Sequence, residues 1–100
     1  MVKNTREIAR SRLADVPPEK QFWCSDGRVF KNLAELVAGL EQISEETFRY
    51  HSNETKNDFS KWVSDVIGDR QLSRDMQKIR SRAQAVLVVA DRVAWLKSKT

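Results

Sequence analysis

Between Asn57 and Gly68 apolar positions recur with a helical period. Phe59, Trp62, Val63, Val66 and Ile67 fall at i, i+3, i+4, i+7 and i+8, which sets all five on one face. Asn57 suits the N-cap, where its side-chain oxygen accepts a backbone N–H. Asp58 places a negative charge in the first turn, where the helix dipole favours it. Gly68 suits the position just past the end, because glycine enters the left-handed conformation without a Cβ penalty. Start, face and stop agree, and they predict a helix over 58–67.

The remaining elements follow from similar patterns. Residues 5–15 carry a thin stripe of Ile8, Leu13 and Val16, with Thr5 as a possible cap, and read as a short docking helix or an arm. Pro17 and Pro18 end it. Two runs rich in aromatic and β-branched residues then flank Ser25-Asp26-Gly27, a hairpin signal that predicts strands near 21–24 and 28–31. Alternation leaves open whether Phe22 with Cys24, or Trp23 alone, faces inward. Asn32 and Glu35 resemble a capping box, and Leu33, Leu36, Val37 and Leu40 form the face of a helix over 33–42. Ser44 caps a shorter helix over 45–52, with Ile43 and Phe48 placed as a hydrophobic staple. The expected core joins Leu33, Leu36, Val37, Leu40, Phe48, Phe59, Trp62, Val63 and Val66.

After Asp69, a further cap, Leu72, Met76, Ile79, Ala83, Val86, Ala90 and Val93 alternate spacings of four and three. This is a heptad over three repeats, readable as a core-facing stripe or as a coiled-coil seam. Val89 and Leu96 widen it. Ser81 with Gln84 also reads as a capping box, so a break near 80–82 is compatible with the pattern. The fold class predicted is mainly α with a small β-hairpin (α+β), with four to five helices in one domain. Within it, 1–16 form an arm or short helix, 20–69 the core and 70–98 a C-terminal helical segment.

Composition narrows the class. The chain has 100 residues, of which 40% are hydrophobic and 32% charged, ordinary values for a globular domain. Its longest apolar run, Ala85 to Ala90, is too short to span a bilayer. The N-terminus lacks the apolar segment of a secretory signal. Cys24 is the single cysteine, which excludes an internal disulfide and a multi-cysteine zinc site and points to a reducing, cytoplasmic setting. The net charge of +4 is unevenly spread, at +3 over residues 1–12, −5 over 13–69 and +6 over 70–100. That segregation fits either internal charge complementarity or a footprint for a polyanion.

Little in the chain reads as catalytic machinery. Cys24 as a nucleophile needs a base, and His51 is the single histidine. His51, Glu54, Asp58 and Asp65 lack a recognised ligand spacing, and Asp58 and Asp65 stand about 10 Å apart along a helix. The expectation is no enzyme activity, no metal and no cofactor, with His51 hydrogen-bonded to the following loop or cap. Nucleic-acid contacts would come from Arg70, Arg74, Lys78, Arg80, Arg82 and Arg92, with Arg6, Arg10, Arg12, Lys97 and Lys99. Arg70, Arg74 and Lys78 follow i, i+4, i+8 as a basic ridge. No reading helix stands out for base recognition, and a hairpin ahead of the helices is not the usual winged-helix order.

One stretch resembles a known family. Phe48-x-x-His51-x-Asn53-x-x-x-Asn57-Asp58-Phe59-x-x-Trp62-x-x-Asp65-Val66-x-Gly68-Asp69-x-x-Leu72 is similar to the pattern of a family of small uncharacterised domains found in archaea and bacteria. The preceding DGRVFKNLAEL segment resembles that family's hairpin and first helix, so the likeness covers about residues 20–72. It implies a domain type and no activity.

Two functions remain as expectations. The first is a non-enzymatic module for protein association or self-association, for example as a homodimer, through Met76, Ile79, Val86, Ala90 and Val93, with Trp95 exposed. The second is sequence-tolerant nucleic-acid binding through the basic N- and C-terminal segments. Neither involves a membrane.

Overall fold

A computed structural model describes residues 4–100. Among these residues, six α-helices and one antiparallel hairpin share a single apolar core that runs in sequence from Ala9 to Leu96. In chain order they are α1 (Thr5–Leu13), β1 (Phe22–Trp23), β2 (Val29–Phe30), α2 (Leu33–Gln42), α3 (Glu45–His51), α4 (Asp58–Trp62), α5 (Arg70–Gln77) and α6 (Arg82–Ser98). A 3-10 turn, Pro18–Lys20, precedes the hairpin, and a π turn, Val63–Ile67, follows α4. No helix among the described residues is long and apolar enough to cross a membrane.

Side-chain caps set most of the boundaries. Asn32, Ser44, Asn57, Asp69 and Ser81 each accept a backbone N–H three residues on. Glu35 and Gln84 complete near-reciprocal boxes by accepting from Lys31 N and Arg80 N. At α1 the cap is Asn4 and not Thr5: Asn4 Oδ1 accepts from Glu7 N, and Thr5 is already helical. Asparagine is the stronger cap of the two, so the helix starts one residue earlier than Thr5 would allow.

The helix predicted over 58–67 is α-helical only to Trp62. Gly68 N then donates to Val63 O at 2.8 Å, a π closure five residues back. Gly68, at φ 84°, makes the left-handed exit expected of it. The widened turn keeps Ile67 in the core and rotates Val66 to a half-buried position, where a regular helix would bury both. Val37 is likewise half-buried; the other expected core residues are buried.

The hairpin settles its own open question. Phe22 pairs with Phe30 and Trp23 with Val29. Phe22, Cys24 and Phe30 face the helices, while Trp23 points outward and is 72% exposed. Phe22 stacks on Phe59 at 5.0 Å and meets Trp62 edge-on at 5.9 Å. Trp62 Nε1 donates to Lys20 O at 2.8 Å and holds the 3-10 turn against α4. Gly39 lies directly under the Phe30 ring, and a Cβ there would overlap it, so glycine lets the hairpin press onto α2.

The C-terminal heptad divides at Lys78–Ser81. Leu72 and Met76 enter the core from α5, whereas α6 buries Ala85, Val89, Val93 and Leu96. Ser81 restarts the helix, and packing against α1 and α2 sets the new face. Ala83 is exposed as a result, and Val86 and Ala90 lie at the edge of that face.

Candidate functional site: a basic helix face

α5 turns two sides in opposite directions. Leu72, Ser73 and Met76 are buried, and Ser73 Oγ donates to Ser60 O of α4 at 2.8 Å. Arg70, Arg74 and Lys78 occupy the opposite side and are exposed. At 1.5 Å per residue this row is about 12 Å long. Among the described residues none of the three forms an ion pair. The neighbouring carboxylate, Asp75, is half-buried and accepts from Gln71 Nε2 at 3.1 Å.

The other basic candidates divide by role. Arg92 is structural: its Nε and a terminal nitrogen hold the two oxygens of Asp69 at 2.7 and 3.0 Å. Asp69 has no solvent exposure, also caps α5 through Leu72 N, and has Arg12 at 3.9 Å. Arg82 pairs with Glu45 at 3.0 Å and donates to the carbonyls of Leu40 and Glu41, closing the C-terminus of α2. Arg80 donates to the carbonyls of Ile79 and Gln77 beside a cleft of about 720 Å³ that Arg49, Asn53 and Glu54 also line. Arg6, Arg10, Lys97 and Lys99 are exposed, and Lys99 and Arg92 both lie over the Trp95 ring.

The apolar association residues are dispersed. Met76 and Val93 are core, and Ile79 is half-buried. Ala90 and Val93 line a shallow groove with Ala34, Val37, Ala94 and Lys97 between α2 and α6. The larger exposed apolar side chains are elsewhere, at Trp23 with Val29 on the hairpin and at Tyr50, Leu87 and Trp95. Sequence reasoning singled out Trp95 but left Trp23 open, because Phe22, Trp23 and Cys24 are consecutive apolar residues and alternation alone does not say which face of the strand is inward.

His51 is 5% exposed, and both ring nitrogens are engaged. Nε2 accepts from Ser25 N at 3.0 Å, and Nδ1 meets Asp58 Oδ2 at 2.9 Å. A backbone amide can only donate, so Nε2 is bare and Nδ1–H donates to the carboxylate. With Nε2 held by an amide, the ring offers no free lone pair to a substrate. Lys56 reaches the same Asp58 oxygen at 2.9 Å. Burial pulls the Asp58 carboxyl upward, but the Lys56 ammonium and the His51 ring together hold it below the usual carboxylate range. Burial pushes the Cys24 thiol up, which disfavours the nucleophilic thiolate. No group of three or more His, Cys, Asp or Glu side chains suited to a metal ion occurs among the described residues.

Compared with protein-family models, curated proteins and solved structures, the chain matches none. Folding alone accounts for most positions of the central pattern. Asn57 caps α4, Asp58 orients His51, Phe59 and Trp62 are core, Gly68 supplies the left-handed exit, and Asp69 caps α5.

Proposed function

We propose that this domain is a non-enzymatic binding module whose α5 face docks the phosphate backbone of a nucleic acid without reading its bases. The observation that carries this reading is the row of Arg70, Arg74 and Lys78, exposed, unpaired among the described residues and opposed to the buried side of its helix. Arginine and lysine spaced along one helix face supply the charge that phosphate contact needs. The basic residues that the fold uses internally, Arg82 and Arg92, are set apart from that row by their carboxylate partners. The satisfied ring of His51 and the buried thiol of Cys24 support a binding role over a catalytic one.

Fluorescence anisotropy with labelled oligonucleotides of unrelated sequence tests this. Affinities that agree across sequences at fixed salt are the expected result. Strong preference for one sequence, or no binding at low salt, overturns it.

A second reading, protein association, draws on Trp23. A tryptophan exposed at 72%, opposite Val29 on the outer face of the hairpin, is a large apolar side chain suited to a partner surface. Sedimentation of the wild type across concentration, beside Trp23→Lys, addresses it. Assembly that Trp23→Lys abolishes favours this reading, and a wild type that stays monomeric at all concentrations disfavours self-association.

A further inference from the structure

His51 joins three elements through one ring. It ends α3, its Nδ1–H donates to Asp58 at the start of α4, and its Nε2 accepts from Ser25 in the hairpin turn. That arrangement requires the neutral ring protonated on Nδ1, because both bonds are lost to any other neutral form. We propose that the His51–Ser25 bond is a proton-operated latch. A second proton, taken from solvent at Nε2, removes the acceptor, opposes two N–H groups and releases the Cys24–Arg28 tip from α3.

Charged and aromatic groups surround the ring. The Asp58 carboxylate faces Nδ1 at 2.9 Å, and the Lys56 ammonium lies at 2.9 Å from the same oxygen. Tyr50 meets the ring edge-on at 5.0 Å, while Phe22 and Phe59 pack against it at 5.2 and 5.4 Å. On the hairpin side the titratable groups are the Cys24 thiol and Asp26, and Asp26 is engaged by Arg28 at 2.9 Å. Besides the His51 bond, the turn is tied to the helices by Arg28 to Gln42 Oε1, an exposed bond at 2.7 Å. Opening would bare Cys24, which is buried with the latch closed.

The test follows the full chain by NMR between about pH 8 and pH 5, the range in which imidazoles exchange their charge. The His51 Cε1–H and the Ser25 amide should shift with one common midpoint. In parallel, Cys24 is reacted with 4,4′-dithiodipyridine, with rates referred to the unfolded chain at each pH. Relative accessibility should rise by up to about tenfold per pH unit as pH falls towards that midpoint, the slope of a one-proton opening, and level off below it. His51→Gln keeps an oxygen acceptor for Ser25 and cannot take the proton, so its Cys24 should stay protected throughout. A ring that titrates while Ser25 and Cys24 do not respond overturns the latch. So does a ring that takes no proton before the whole chain unfolds, or the same opening profile in a folded His51→Gln. Should His51→Gln fail to fold, the agreement or disagreement of the ring and amide midpoints in the wild type decides alone.

Discussion

At Asp69 a carboxylate without solvent contact is held by the Arg92 guanidinium through two short hydrogen bonds. Removing one partner of such a pair leaves a buried charge unmet, which typically costs about 3–5 kcal/mol. Arg92→Ala should therefore lose that much in urea unfolding, while Arg80→Ala, at an exposed site, should change stability by about 0.5 kcal/mol or less. Equal effects of the two would show that the pair is dispensable. Asp58 gives a pH signature of definite sign. Its carboxyl titrates lower in the folded chain than in the unfolded one. The stabilisation is then complete above the ordinary carboxylate value and is lost as pH falls through the depressed folded value. Unfolding profiles of wild type and Asp58→Asn should converge in that acid window. A difference that stays constant through it would contradict the assignment. The cap role of Asp69 was legible from its place ahead of the heptad-spaced Leu72 and Met76. Its partner was not, since Arg92 lies 23 residues on and no local spacing links the two.

At the scale of elements, local signals read well and helix phase read poorly. The bounds of α2 follow from Asn32, Glu35 and an apolar face, and they coincide with Leu33–Gln42. The π turn after Trp62 was hidden because Phe59, Trp62, Val63, Val66 and Ile67 satisfy a regular helix equally well. The heptad from Leu72 to Val93 joined two helices in one pattern. Ser81 carried the signal for the break, but the phase of α6 comes from tertiary packing on α1 and α2. The contact between β2 and α2 depends on a single absent methyl group. Gly39→Ala should gain helix propensity of roughly 1 kcal/mol but displace the Phe30 ring, with overpacking that costs about 1–3 kcal/mol. A net loss of stability with altered Phe30 ring signals is the expected outcome. A more stable protein with those signals unchanged would show that the close approach does not constrain the fold.

Across the whole molecule, charge is sorted into two kinds. Arg12, Arg82 and Arg92 face carboxylates that help to hold α1, α2, α3, α5 and α6 together. Arg70, Arg74 and Lys78 face outward with no such partner among the described residues. Composition exposed the uneven charge but could not separate these two kinds, because the separation depends on which acidic groups the fold brings near. The measurement that bears most directly on the polyanion reading is the salt dependence of oligonucleotide affinity for wild type and for Arg70→Gln/Arg74→Gln/Lys78→Gln. For the wild type, log affinity should fall linearly with log salt. The triple variant should bind more weakly to every sequence, with a slope shallower by roughly two to three. Equal affinities and equal slopes for the two proteins would contradict the assignment of this face.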